Sequence, residues 1–226
     1  MSREKINTIG ICGVSVTVCA IFSILQQFTA LGYIGTALAK ILFFGGTPLI
    51  YYAYKKIGIG DTLPSKTTFK QARPALILGL AVLGVVLGAY VITKNFINLE
   101  HVANELMLKS NITPLNFPFV ALYITFGNSF LEEYFFRGFI FLTLYKDGYK
   151  RLAYFFSSLL FAVYHVAIFN TWFSPGIIGL ALLGLFAGGI IFNAINTRTN
   201  SIINSWLIHI FADSAIIVIG IKMFYF

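Results

Sequence analysis

Six ionisable side chains interrupt long apolar segments in the C-terminal half of the sequence. They are Glu132, Glu133, Arg137, His165, His209 and Asp213. Two pairs are spaced i,i+4, Glu133 with Arg137 and His209 with Asp213, so each pair shares one face of a helix. Glu132 is rotated by about 100° from Glu133 and can point elsewhere. A charge in a bilayer interior costs at least about 2.5–3.5 kcal/mol, so residues of this kind indicate a functional site.

Carboxylates and histidines brought together in this way could activate water. A carboxylate in a dry site can act as a general base. A neutral histidine can hydrogen-bond a water, donate to an oxyanion or bind a metal. The set therefore predicts peptide or ester hydrolysis inside a membrane. A buried ion-pair network that only joins helices, and a pathway for protons or ions, are the alternatives.

The composition of the chain supports a membrane location for these residues. Of 226 residues, 58% are hydrophobic and 11% are charged, whereas a soluble domain has about 25% charged residues. This excludes most soluble enzymes and nucleic-acid modules, so we expect the net charge of +8 to orient the chain in the bilayer rather than to bind nucleic acid. The prediction is an integral, multi-pass, all-α protein: a transmembrane helical bundle of about seven to eight spans.

Seven apolar segments are long enough to cross a bilayer, which takes roughly 20 helical residues. They cover residues 8–31, 35–54, 74–93, 118–145, 152–169, 175–195 and 201–225. The sixth segment is rich in glycine, and a broken or re-entrant helix is an alternative there. At 1.5 Å per residue, the ionisable residues of spans four, five and seven lie roughly 12–20 Å from the same membrane face. Antiparallel helices would therefore bring them to one level.

Loop charges predict the orientation of these spans. With the N-terminus in the cytoplasm, eleven of the Lys and Arg residues fall inside, three fall outside, and Lys40 and Arg137 lie within spans. This bias favours a cytoplasmic N-terminus and an external C-terminus. The polar segment 95–117 separates an N-terminal three-helix membrane region, 1–117, from a C-terminal catalytic helical bundle, 118–226. The catalytic site is expected to open towards the cytoplasmic half of the membrane.

Small residues in the apolar segments allow two interpretations. Gly84 and Gly88, like Gly184 and Gly188, are spaced as in close helix–helix contacts, but ordinary glycines of membrane helices are an equally good explanation. The two cysteines of the sequence, Cys12 and Cys19, lie in the first span and are expected to be small buried hydrophobic residues rather than a disulfide or a metal pair.

Other known solutions to intramembrane hydrolysis leave patterns that this sequence lacks. The H-E-x-x-H pattern of zinc proteases is absent. Ser129 follows Gly127 and Asn128 but does not lie in a G-x-S-x-G pattern. Residues 58–61 spell G-x-G-D, as in aspartyl intramembrane proteases, but they lie in a lysine-rich loop segment, where a turn is the expected structure.

The three polar patterns together resemble the motifs of the CPBP family, which contains type II CAAX prenyl proteases and bacteriocin-processing proteases and is also called the Abi family. Residues 132–138, EEYFFRG, resemble the motif E-E-x-x-x-R-G. Residues 161–165, FAVYH, resemble F-x-x-x-H, and residues 209–213, HIFAD, resemble H-x-x-x-N/D. The resemblance covers roughly residues 118–214.

The resemblance implies a role for each residue of the motifs. Glu132 would be the general base, and His165 would hold or polarise the water. His209 and Asp213 would stabilise the oxyanion or orient the site. The pair of Glu133 and the arginine four residues later would position the base. Asp213 stands where many members carry Asn; because an ionised Asp cannot donate a hydrogen bond, it would orient His209, bind a metal or stay protonated.

The resemblance leaves the metal open and implies a broad class of substrate. Zn²⁺ is compatible with a ligand set of Glu132, His165, His209 and Asp213, and a metal-free glutamate mechanism uses the same residues. The expected function is an intramembrane endopeptidase that cuts a membrane-associated peptide or protein, as in CAAX processing, peptide maturation or bacteriocin self-immunity. A catalytically silent membrane scaffold that binds a partner protein and a proton-coupled transporter are the alternatives.

Overall fold

The computed structural model describes residues 8–28, 31–56 and 69–226, and these ranges contain helices and no strand. The predicted G-x-G-D turn at 58–61 lies outside the described residues, as do several of the positive charges used to predict orientation. There are eight helical segments in these ranges: α1 (Thr8–Phe28), α2 (Gly32–Tyr54), α3 (Phe69–Thr93), α4 (Leu99–Ser110), α5 (117–146), α6 (Lys150–Phe169), α7 (Pro175–Thr199) and α8 (Ile203–Tyr225).

The helices confirm the prediction of an all-α membrane bundle. Six of the described helices are long and apolar enough to cross a bilayer: α1, α2, α3, α6, α7 and α8. The remaining predicted span, α5, is helical throughout but carries the charges of the first motif. The glycine-rich segment forms the continuous helix α7, so a broken helix was the wrong alternative. Part of the predicted polar loop 95–117 is helix α4, which begins at an Asn98 cap.

Helices α2 and α5 contain π-helical turns where they approach each other. In α2 the π-helix is Ile41–Gly46, and in α5 the two π-helices are Tyr123–Asn128 and Glu133–Leu142. π-Helical turns inside α-helices occur frequently at functional sites. Here they lie directly after Lys40 in α2 and on both sides of the turn that ends at Glu132 in α5.

Aromatic side chains of α1, α2, α5 and α6 form the main core. The ring of Phe44 stacks on Phe135 with centroids 4.5 Å apart and meets Phe136 edge-on at 5.5 Å. A smaller cluster joins α3, α7 and α8 through Ala75, Phe192 and Ile208. Large apolar residues elsewhere on the helices point outwards, as expected for a surface that contacts lipid rather than water.

Hydrogen bonds between side chains and neighbouring helices fix how the helices pack. Ser157 of α6 donates to the Phe136 carbonyl of α5 at 2.9 Å. Asn193 of α7 donates to Ser158 of α6 at 3.1 Å, and the Tyr52 hydroxyl of α2 lies 3.1 Å from a hydroxyl of α5. In a bilayer such bonds contribute roughly 0.6–2 kcal/mol each. They hold together the helices that carry the site residues.

Close glycine packing occurs, but not where the sequence spacing suggested. Within the described residues, a Cβ added at Gly84, Gly88, Gly184 or Gly188 would meet no other atom within 4 Å, so these are ordinary glycines. A Cβ on Gly189 would instead lie 2.9–3.0 Å from Ser158 of α6. The two cysteines are free, as expected; Cys19 is buried and Cys12 partly buried.

Candidate active site

Glu132 lies at the centre of the polar cluster, on the inner face of α5. It is 1% exposed. Its two carboxylate oxygens have different environments. Oε1 accepts from Lys40 Nζ of α2 at 2.5 Å and from Asn128 Nδ2, one helical turn earlier, at 3.1 Å. Oε2 is buried with no hydrogen-bond partner within the described part of the chain.

Two histidines from different helices face this second oxygen. His165 directly follows the α-helical stretch Lys150–Tyr164 of α6. Its Nε2 lies 3.8 Å from Glu132 Oε2. Nε2 of His209, on α8, lies 3.7 Å from the same oxygen. A water about 2.8 Å from both atoms of such a pair would lie to one side of the line that joins them. The predicted meeting of the three motifs therefore occurs around one carboxylate oxygen.

The other ring nitrogen of each histidine is held by an acceptor. Nδ1 of His165 lies 2.7 Å from the Phe161 carbonyl, and Nδ1 of His209 lies 3.0 Å from Glu133 Oε1. Because carbonyl and carboxylate oxygens can only accept, Nδ1 carries the proton in both rings. The ring of Phe161 packs edge-on against His165, with centroids 4.6 Å apart, and walls it as expected.

Glu133 and Arg137 form the supporting pair on the adjacent face of α5. Both side chains are 0% exposed, and Arg137 Nη1 lies 3.1 Å from Glu133 Oε1. The guanidinium lies over the ring of Phe161 at 3.9 Å and over that of Phe192 at 5.0 Å. Cation–π contacts of this kind favour a desolvated cation. Glu133 therefore links the buried arginine to His209, which in turn faces Glu132.

Asp213 lies one turn after His209 on α8. Its Oδ1 is 3.8 Å from His209 Nε2, which is an ion-pair separation and longer than a hydrogen bond. Oδ2 is buried and accepts no hydrogen bond from the described residues. The group that hydrogen-bonds the His209 ring is Glu133. Asp213 thus faces the same Nε2 that faces the general-base candidate.

Lys40 and Asn128 contact Glu132 but belong to none of the three sequence motifs. The structure places Nζ of Lys40 2.5 Å from both Glu132 Oε1 and Asn128 Oδ1. The sequence does contain a signal for Lys40, because it is a lysine inside a predicted span. No comparable signal marks Asn128, whose role depends on its position one turn before Glu132.

The residues do not form an evident metal site as they are arranged. No group of three or more His, Cys, Asp or Glu side chains among the described residues is placed so that it could hold a metal ion. In addition, the ammonium group of Lys40 already pairs with Oε1 of Glu132. A fixed cation at this distance disfavours a second cation on the same carboxylate.

Ser129 has a structural environment rather than that of a nucleophile. It is fully buried on α5. Its hydroxyl donates to the Thr125 carbonyl at 2.6 Å and accepts from Trp206 Nε1 at 3.1 Å. The first bond lies within α5 and the second joins α8 to α5. Neither partner is a base that could activate a serine.

The similarity to known proteins is confined to the C-terminal half of the chain. Residues 114–215 match the family described as type II CAAX prenyl endopeptidase Rce1-like. This range contains all six residues of the three motifs, whereas Lys40 lies outside it. Neither a curated protein nor a solved structure matches the chain.

Proposed function

The segment 114–215 belongs to the CAAX-protease (CPBP) family, and from that premise we propose that the protein hydrolyses peptide bonds with a water activated by Glu132. At the general level the protein is a CAAX-protease-like intramembrane endopeptidase. The observation that carries the finer proposal is the environment of Glu132 Oε2. That oxygen is buried, accepts no hydrogen bond from the described residues and faces Nε2 of both His165 and His209.

Each group has a defined task in the proposed reaction. A water held between Glu132 Oε2 and His165 Nε2 gives a proton to Oε2 while its oxygen attacks the scissile carbonyl carbon. The carbonyl oxygen becomes an oxyanion, and a protonated His209 Nε2 donates to it. The carbon–nitrogen bond then breaks, and the proton on Glu132 passes to the amine that leaves. Water is consumed, and a carboxylic acid and an amine are formed.

The supporting residues keep these groups in place. Glu133 accepts from His209 Nδ1, so Nε2 of that ring faces the reaction centre. Arg137 balances the charge of Glu133. In our proposal Asp213 acts on His209 Nε2 through charge, at 3.8 Å, and stabilises the imidazolium while the oxyanion forms. The pair of Glu133 and Arg137 holds the ring from the opposite side.

We propose the metal-free form of this mechanism. It is supported by the Lys40 ammonium group, which supplies a positive charge at Glu132. If the enzyme instead needs zinc, a tight chelator will abolish turnover, added Zn²⁺ will restore it, and purified protein will contain stoichiometric metal. If the metal-free proposal is right, turnover will persist after chelation.

The proposed substrate is a membrane-associated peptide or protein segment, cut near a lipid anchor or a transmembrane end. A site enclosed by spanning helices is reached most easily by a chain that is already in the bilayer. Prenylated proteins, precursor peptides and bacteriocin-type peptides are the classes that the family similarity suggests. A panel with one fluorogenic peptide of each class in liposomes will distinguish between them.

The test compares matched variants in those liposomes. Glu132→Gln keeps the side-chain shape and removes the base, so kcat is expected to fall about 10²–10⁴-fold. His165→Ala should cause a comparable loss. Glu100→Gln and His101→Ala make the same changes on the exposed helix α4 and should leave turnover unchanged. Turnover that survives Glu132→Gln would refute the mechanism and favour the scaffold or transporter alternatives.

The orientation in the membrane is also a proposal. The distribution of Lys and Arg residues supports a cytoplasmic N-terminus. On this basis α4 and the end of α8 lie outside. A cysteine introduced at Lys109 or Lys222 should therefore react with an impermeant reagent added to intact cells. A cysteine introduced at Lys146 should react with the same reagent only after the cells are permeabilised.

A further inference from the structure

Lys40 is a buried charge from the part of the chain that the family similarity does not cover. It is the last residue of the α-helical turns Gly32–Lys40 in α2, directly before the π-helix. Its side chain is 6% exposed. Because a lysine within the bilayer is costly and can often move its charge to the interface, a lysine held inside a bundle indicates a specific partner.

The partners of Lys40 are all parts of the site. Nζ lies 2.5 Å from Glu132 Oε1 and 2.5 Å from Asn128 Oδ1. Because Oδ1 of Asn128 accepts from Lys40, the NH2 group of Asn128 points to Glu132. It donates to Glu132 Oε1 at 3.1 Å. The three side chains therefore form a closed triangle of hydrogen bonds around one carboxylate oxygen.

Aromatic rings surround the rest of the ammonium group. Nζ lies 5.1 Å from the ring centroid of Tyr164, 5.4 Å from that of Phe44 and 6.0 Å from that of Phe22. Rings at these distances stabilise a desolvated cation. Tyr164 also precedes the histidine of the second motif, so the environment of Lys40 is continuous with the site.

A purely structural ion pair would explain less of this geometry. Joining α2 to α5 needs only one contact, and an apolar pair of similar volume is often as stable as a buried ion pair. The observed contacts do something more specific. They use Oε1 of Glu132 and leave Oε2 as the oxygen that faces both histidines.

We infer that Lys40 is a positioning residue of this hydrolase: with Asn128 it holds Oε1 of Glu132, so that Oε2 alone is presented to the water. The inference rests on the proposed function of Glu132. It also assigns a catalytic contribution to the N-terminal region of the chain. In the proposed reaction the water's proton moves to Oε2 while Oε1 stays bound to Lys40.

The activity test uses three lysine variants in liposomes. Lys40→Met removes the charge but keeps most of the volume, and it should lower kcat on the order of 10²-fold, as misplacement of a reacting group by about 1 Å does. KM should change little, because Lys40 is not placed to touch the substrate. Lys40→Arg keeps the charge and should recover part of the lost kcat. Lys109→Met removes a lysine from the exposed pair with Glu105 and should have no effect.

A second readout does not depend on turnover. Hydrophobic carbodiimides react with protonated carboxyl groups in membranes, and labelling of Glu132 can be read by mass spectrometry. A buried carboxylate that loses its cation takes up a proton rather than stay charged. Labelling of Glu132 should therefore be low in the wild type and in Lys40→Arg, and several-fold higher in Lys40→Met.

The outcomes separate this inference from the proposed function. Unchanged kcat and unchanged labelling in folded Lys40→Met would overturn the role of Lys40 while leaving Glu132 as the base. Turnover that survives Glu132→Gln would instead overturn the proposed function, whatever Lys40 does. If Lys40→Met does not fold, Asn128→Ala serves as the test variant. Its kcat should fall about tenfold, which corresponds to roughly 1.4 kcal/mol at 25 °C. An unchanged kcat would refute the inference.

Discussion

The pair of Glu133 and Arg137 should determine whether the site is stable, and Glu133→Gln tests this. Both side chains are 0% exposed, and the carboxylate is shared between Arg137 Nη1 at 3.1 Å and His209 Nδ1 at 3.0 Å. Gln has nearly the same shape but no charge. The guanidinium would remain buried without a counter-ion, and breaking a buried pair in this way costs about 3–5 kcal/mol.

The structure indicates that the loss lies near the lower end of this range. The rings of Phe161 and Phe192 stay over Arg137, and a desolvated cation–π contact contributes about 2 kcal/mol. We therefore expect a destabilisation of about 3 kcal/mol, a large share of the 5–15 kcal/mol typical of a folded protein. Unfolding in mixed micelles with increasing SDS, followed by tryptophan fluorescence, measures this change.

A double variant identifies the cause. Glu133→Gln combined with Arg137→Met removes both charges and leaves no uncompensated ion, so it should be more stable than Glu133→Gln alone. Both variants should lose turnover, because His209 loses its carboxylate partner in each. A loss of less than about 1 kcal/mol in the single variant, or a double variant less stable than the single one, would refute the reasoning.

Two further predictions concern helix packing and helix α4. Gly189→Ala should lower the free energy of unfolding by about 1–3 kcal/mol, because the added Cβ would lie 2.9–3.0 Å from Ser158 of α6. Gly184→Ala should change it little, because a Cβ there meets no atom within 4 Å. Unfolding in SDS compares the two variants, and equal stabilities would contradict this prediction. Hydrogen bonds from Lys109 and then Thr171 lower the pKa of Glu105. Its stabilising contacts are therefore complete above the unfolded pKa, about 4.3, and are lost as the pH falls through the lower folded value. Amide shifts of α4 should move only in that acidic range, and a change near neutral pH would contradict this.

Much of the architecture follows from hydropathy and spacing alone. Apolar segments of about 20 residues must be helical in a bilayer, because their backbone groups have no water to bond. The i,i+4 spacing likewise brings Glu133 to Arg137 and His209 to Asp213 on one helix each. These contacts are local, so the sequence contains the information for them. The meeting of His165 with Glu132 follows from equal depth on antiparallel helices.

Contacts between distant segments could not be predicted in this way. Lys40 and Glu132 are 92 residues apart, and the sequence shows only that each is a charge within an apolar segment. The hydrogen bond from His209 to Glu133 was missed because Asp213, one turn away, was the nearer carboxylate in sequence. Whether a glycine allows close packing depends on the facing helix, which is why Gly189 was missed.

The balance of charges explains why the site needs residues from both halves of the chain. Three carboxylates lie close together, Glu132 and Glu133 buried and Asp213 partly buried, and two of them pair with the cations Lys40 and Arg137. Arg137 alone, from the motif region, would leave two negative charges uncompensated inside the membrane, which is strongly unfavourable. Lys40 reduces this excess to one, and a single proton shared between the histidines and Asp213 would make the site neutral. A general-base reaction in a bilayer requires a proton to move within the cluster while the total charge of the cluster stays constant.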